Sequence, residues 1–217
     1  MFKVRMLVLF PVVALLTGCA TFGLGKVVTR EEAFTGFDRV EVDNAFKVDI
    51  TQSGTYSVVV RVDSSLEQRL EVVKEGNTLK IGLKDEGGGV KIQAGTKEVE
   101  ITMPELTGLD LSGASQGTIT GFKSTKTLDV GLQGASEVTM SGSGQNVMVV
   151  AEGASTVDLT NFSVVDANVE ARGKSQVTVN VSGRLDADAS GDSNVYYLGD
   201  PTMGEIDTSG GSSVEPK

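Results

Sequence analysis

Between residues 109 and 214 one short phrase recurs six times: alternating apolar residues, Gly-x-Ser, a polar residue, then apolar residues again. It is read in LDLSGASQGTI (Leu109 to Ile119), LDVGLQGASEVTM (Leu128 to Met140) and VMVVAEGASTVDL (Val147 to Leu159). It returns in ANVEARGKSQVTV (Ala167 to Val179), LDADASGDSNVYY (Leu185 to Tyr197) and IDTSGGSSV (Ile206 to Val214). The glycines fall at 113, 134, 153, 173, 191 and 210, in steps of 21, 19, 20, 18 and 19 residues. A period near twenty built from strand-like pieces points to a β-solenoid, because each coil buries its inner face only against its neighbours. The expected fold is all-β: a right-handed parallel β-helix of about six short coils over residues 105–217.

Parity assigns the faces. Residues two apart in a strand share a face, so Val130 with Leu132, Val149 with Ala151, Val169 with Ala171 and Ala187 with Ala189 should point inward together. Ser115, Ser136, Ser155, Ser175, Ser193 and Ser212 share that parity, and are expected to face inward at a corner. Their hydroxyls would bond to one another, or to the turn backbone. A row of nucleophiles would need a base beside each serine, and the chain contains no histidine. Gly173-Lys174-Ser175 lacks the glycine spacing of a phosphate loop. The glycines themselves fit sharp corners, where positive φ or the next coil excludes a side chain.

Residues 37–104 have another texture, with longer, more charged and less repetitive strands. Val40 to Asp43, Phe46 to Thr51, Tyr56 to Asp63, Leu70 to Lys74, Thr78 to Leu83 and Glu98 to Met103 alternate well. Glu75-Gly76-Asn77 reads as a hairpin turn, and Asp85 to Gly89 as a flexible loop. This stretch is expected to form an N-terminal β-subdomain that also caps the solenoid, since an uncapped coil exposes unpaired edges.

The N-terminus supplies an address. Lys3 and Arg5 precede an apolar stretch from Met6 to Leu16. Those eleven residues fall short of the roughly twenty that a helix needs to cross a bilayer core of about 30 Å, so residues 1–18 read as a signal peptide. The run Leu16-Thr17-Gly18-Cys19 resembles the bacterial lipobox, in which the cysteine receives a diacylglycerol and the chain is cut before it. Cys19 is the single cysteine, so it has no intramolecular disulfide partner. Several acyl chains give stable anchoring where one would be marginal. Ala20 follows in place of the aspartate that favours retention at the inner membrane. Lipidated Cys19 is thus expected to hold the protein at the outer membrane, with residues 19–36 comprising the lipidated cysteine and a tether.

Charge excludes one class of partner. The chain carries 19 basic and 29 acidic residues, and removing Lys3 and Arg5 with the leader leaves 17 against 29, a net charge of −12. Such a surface repels phosphate backbones, so nucleic acid is not an expected partner.

Function should lie on the outward rows: Ser112, Gln133, Glu152, Arg172, Ser190 and Ser209 before each glycine, and Gln116, Glu137, Thr156, Gln176, Asn194 and Ser213 three after it. A carbohydrate-processing enzyme would cluster acids there, with aromatic platforms for sugar rings. The chain has no tryptophan and three tyrosines. Of Tyr196 and Tyr197 one must point outward, which makes the pair the candidate ligand contact, weighed against simple packing at an edge coil. Asp186, Asp188 and Asp192 gather on one coil with Asp207 on the next, but the calcium-binding glycine–aspartate nonapeptide is absent. No metal, cofactor or catalytic residue is therefore expected.

Several runs resemble a known family. Phe37-Asp38-Arg39-Val40, Val48 to Gln52 with Tyr56-Ser57-Val58, Thr78 to Ile81, and Val99 to Leu106 leading into Leu111 to Ser115 are similar to the putative auto-transporter adhesin, head GIN-domain family of bacterial envelope proteins. The resemblance spans about Phe37 to Tyr197. It implies a β-helical fold and a secreted or lipid-anchored location, and it supplies no catalytic residue. The expectation is a non-enzymatic envelope protein that binds polysaccharide or a partner envelope protein, its body in the periplasm or at the cell surface. The alternatives are an enzyme acting on envelope polysaccharide and a purely structural spacer.

Overall fold

The structure is a computed structural model that describes residues 26–84 and 95–217. The leader expected over 1–18, Cys19, the tether as far as residue 25 and the Asp85 to Gly89 loop lie outside the described residues. The described residues form seventeen strands and no helix. The first seven are β1 (Val27–Glu32), β2 (Arg39–Val42), β3 (Lys47–Gln52), β4 (Ser57–Asp63), β5 (Leu70–Glu75), β6 (Thr78–Leu83) and β7 (Lys97–Met103). The repeat region contributes β8 (Gly108–Leu111), β9 (Gln116–Leu132), β10 (Glu137–Ala151), β11 (Thr156–Val164), β12 (Asp166–Gly173) and β13 (Gln176–Val181). It ends with β14 (Arg184–Gly191), β15 (Asn194–Leu198), β16 (Thr202–Gly210) and β17 (Ser213–Pro216).

All strands join one hydrogen-bonded system, which β9 and β10 wrap so that it presents two faces. The first face runs β5–β6–β2–β8, then the C-terminal halves of β9 and β10, then β12–β14–β16. The second runs β1–β4–β7–β3, then the N-terminal halves of β9 and β10, then β11–β13–β15–β17. The repeat pairings are parallel and in register, as expected of a solenoid, with about five turns. Antiparallel pairs occur only where β1, β4 and β5 border the N-terminal end.

The inward parity holds at every corner. Val130, Leu132, Val149, Ala151, Val169, Ala171, Ala187 and Ala189 are buried, facing Ile119, Met140, Leu159 and Val179 of the second face within one core. Burial of a Val- or Leu-sized side chain contributes about 1.5–3 kcal/mol, so the stacked rows hold the coils together.

The corner is the repeated chemical unit. Gly173 has φ +84°, and a Cβ there would stand 2.5 Å from the Gly153 carbonyl oxygen. The same close approach lets the Lys174 amide donate to Gly153 O at 2.7 Å, a bond repeated by Ala154 to Gly134, Asp192 to Gly173 and Gly211 to Gly191. Ser115, Ser136, Ser155, Ser175 and Ser193 are buried as expected, while Ser212 on the last coil is half-buried, and the bonds they make run to backbone rather than to one another. Ser115, Ser136, Ser155 and Ser175 each donate to the carbonyl three residues earlier, at 2.7–2.9 Å. A hydroxyl seated over its own turn meets that carbonyl sooner than it meets a hydroxyl one coil away. Ser155→Ala leaves the Glu152 carbonyl without this donor and should cost about 1–2 kcal/mol. Wild-type stability of this variant in urea would mean that the hydroxyl does not hold the corner.

The change of sequence texture at Pro104 does not interrupt the sheets. β2 and β3 form a coil of the same kind, inserted between the β6/β7 coil and the β8/β9 coil. Val40 to Val42 lie in register with Leu109 to Leu111, and Lys47 to Thr51 with Gln116 to Thr120. Asp43-Asn44-Ala45-Phe46 therefore occupies the corner equivalent to Ser112-Gly113-Ala114-Ser115. Asn44 takes the left-handed conformation at φ 63°, which asparagine tolerates better than most side chains. Its Oδ1 accepts the Leu83 amide at 2.7 Å, and Phe46, fully buried, replaces the corner serine.

Candidate functional site

The two outer faces differ in charge. Register on the first face stacks Lys80, Glu41, Asp110, Gly131, Val150, Glu170, Asp188 and Asp207 into one row. Cations there are tied to neighbouring acids: Arg39 to Asp129 at 2.9 Å, Lys80 to Glu75 at 3.0 Å, Arg172 to Glu170 at 2.8 Å and Arg184 to Asp186 at 2.6 Å. Burial pushes the Asp110 carboxyl above its ordinary range, with Arg39 opposing the rise. Salt bridges this exposed contribute little to stability; they leave an acidic face with its positive charge already engaged.

The second face is hydroxyl- and amide-rich. One row reads Asp49, Thr118, Thr139, Asp158, Thr178, Tyr196 and Glu215, and the adjacent row Lys47, Gln116, Glu137, Thr156, Gln176, Asn194 and Ser213. Threonine suits these positions because a β-branched side chain packs on the pleated surface; Thr178 is buried on its coil. Thr118, Thr120 and Thr139 are exposed. Burial alone would push the Asp158 carboxyl up, but bonds from Thr160 and the charge of Lys217 outweigh it and hold it below its usual range.

The tyrosine pair divides as its parity requires. Tyr197 packs against the core, which leaves Tyr196 on the outer row between Thr178 and Glu215, half-buried. The aspartates singled out by sequence are spread over the first face and its corner. Asp186 is occupied by the Arg184 guanidinium and accepts the Glu205 amide at 2.7 Å. Among the described residues no three acids come together as a metal would require.

A pocket that the sequence does not announce lies beside the row that includes Lys47. Its volume is about 360 Å³, and its lining includes Ala45, Lys47, Lys97, Glu98, Ala114 and Gln116. Lys97 is buried, 9% exposed, and its ammonium donates to the Asn44 carbonyl. Burial pushes that amine below its ordinary range, partly opposed by Asp43. The one local signal is Asp43-Asn44-Ala45, a disguised corner on the coil next to that of Lys97.

The architecture defines a class: a parallel β-solenoid with one strongly acidic outer face and one rich in hydroxyls and amides, whose repeated serines are spent on its own corners. The sequence profile described as putative auto-transporter adhesin, head GIN domain, matches residues 36–201, and the chain belongs to that family. Adhesin heads are surface or envelope proteins, and the family description names no enzyme. A crystal structure of a putative adhesin from Bacteroides fragilis is similar over 88% of this chain and 97% of that one, with 18% identity and a TM-score of 0.68. A crystal structure described as a putative lipid binding protein from Parabacteroides distasonis covers 89% of this chain and 97% of its own, with 17% identity and a TM-score of 0.50. No curated protein matches the chain at a significant level. At such identities the likeness concerns the fold.

Proposed function

We propose that this protein is a non-catalytic binder of envelope polysaccharide, tethered to the outer membrane through lipidated Cys19, that meets its ligand along the second face. The observation that carries this reading is the pair of stacked polar rows on that face. From β9 onward every coil carries at least one hydroxyl or amide on these rows, interspersed with Glu137, Asp158 and Glu215. Successive coils lie about 4.8 Å apart, a spacing comparable with the length of one sugar residue. A polymer can therefore meet equivalent donors and acceptors coil after coil. Tyr196, on the same row, offers a ring for stacking. The non-catalytic reading is supported by the absence of histidine and by corner serines committed to turn carbonyls.

The test is binding of purified mature protein to immobilised envelope glycans, compared with a Thr118→Glu/Thr139→Glu double variant. Both threonines are exposed, so the fold should tolerate the change. At least about a tenfold loss of binding is expected, since each substitution removes a polar contact and sets a charge in the path of the polymer. Equal binding by the variant would sink the assignment to this face, and release of shorter glycan by the purified protein would replace it with an enzyme. Palmitate labelling should disappear in Cys19→Ala, and labelling that persists would overturn the anchor.

A further inference from the structure

The pocket at the first two corners has features that the other corners lack. From Gly134 onward, the amide after the corner glycine of the next coil donates to a glycine carbonyl, as Ala154, Lys174, Asp192 and Gly211 do at 2.6–2.7 Å. At the first two corners both central residues are left-handed: Asn44 and Ala45 at φ 63° and 61°, Gly113 and Ala114 at φ 63° and 70°. The amides of Ala45 and Ala114 find no acceptor among the described residues; the Ala135 amide at the next corner, where the glycine alone is left-handed, shares this. Ala45 and Ala114 both line the pocket.

Two positive charges join these amides. The buried Lys97 ammonium has three donors and gives one to the Asn44 carbonyl. Lys47 also lines the pocket and, although Glu98 is its register neighbour on β7, makes no salt bridge among the described residues, unlike the paired cations of the first face. Of the nearby acids, Asp43 accepts the Asn44 amide at 2.6 Å, and Glu98 stands in register between Lys47 and Arg61 and lines the pocket, so two ammonium groups face one lining carboxylate. Unpaired amides beside ammonium groups form a concavity suited to a negatively charged oxygen cluster. On a chain of net charge −10 such a site is unexpected as ordinary surface.

We infer that this pocket binds an oxyanion, the carboxylate, sulfate or phosphate of an acidic sugar, and so makes the adjoining polar face selective for acidic polysaccharide. The inference rests on the glycan reading of that face for its biological ligand, but the site can be tested without it. The pocket lies beside Lys47 and Gln116 of the outer row, which continues through Glu98 on β7 and Arg61 on β4. A polymer lying along the coils would thus present one charged group to the pocket.

The experiment is an amide-resolved NMR titration of the mature protein with sodium glucuronate, sodium sulfate and sodium phosphate, at constant ionic strength, against sodium chloride and methyl glucoside. Saturable shifts of the Ala45 and Ala114 amides with at least one oxyanion are expected, and the anion preferred identifies the source of the charge. Lys47→Gln should weaken the response at least tenfold, and Lys97→Met should abolish it. Because Lys97→Met can disturb the corner, the exposed Lys47 is the deciding position. Non-saturable shifts, an equal response to chloride, or indifference to Lys47→Gln would each overturn the anion site. Shifts of Thr118 and Thr139 with a neutral glycan but none at Ala45 and Ala114 with any oxyanion would overturn this inference and leave glycan binding on the face intact. The reverse pattern would sustain the pocket alone.

Discussion

Gly173→Val is expected to destabilise the protein by about 4 kcal/mol or more, near the top of what single substitutions do. Two costs combine. A β-branched residue is forced to φ +84°, and its Cβ lands 2.5 Å from the Gly153 carbonyl oxygen and 3.3 Å from the Gly153 carbonyl carbon. Left-handed strain costs about 1–3 kcal/mol, and overpacking against fixed backbone a further 1–3 kcal/mol. The backbone cannot give way cheaply, because the Lys174 amide bonds to that same carbonyl. Gly36→Ala is the control: Gly36 also has positive φ, at 68°, but nothing lies within 4 Å of the added carbon. It should cost only about 1–2 kcal/mol. Urea midpoints for the two variants decide the matter, and equal losses would show that the corner tolerates a side chain.

Phe162→Ala should cost about 3–5 kcal/mol, the range for emptying a buried aromatic site. Phe162 is fully buried, and in register Gly142 stands between it and Phe122. Glycine is the residue that leaves room there: a Cβ at the neighbouring Gly144 would already approach the Phe162 ring at 3.1 Å. Small positions on one coil thus admit the large ring of the next. Phe162→Leu keeps most of the volume and should recover all but about 1.5 kcal/mol. A Phe162→Ala loss below about 1 kcal/mol in the same unfolding assay would mean that the ring is not a core element.

Local patterns were legible wherever one coil dictates its own shape. Gly-x-Ser marked the corners because the steric demand for glycine and the hydrogen bond of serine act within a few residues. Alternation marked the inner rows because strand parity is a local property. The same parity showed that only one of Tyr196 and Tyr197 points outward, and the packing of Tyr197 against the core decides which.

What a single coil could not reveal was the order of stacking. The chain alone determined an all-β solenoid with corners near every twentieth residue and its serines turned inward. The tertiary structure decided that β2 and β3 insert between coils made later in the chain, so neighbours in space are not neighbours in sequence. It also decided that Asn44 and Phe46 stand in for glycine and serine at a corner that the repeat does not spell. Pairing between distant strands rests on backbone hydrogen bonds common to all residues, and therefore leaves little trace in composition. The pocket between Lys47, Lys97 and Ala114 arises from that pairing: its three residues belong to three coils brought into contact only by the fold.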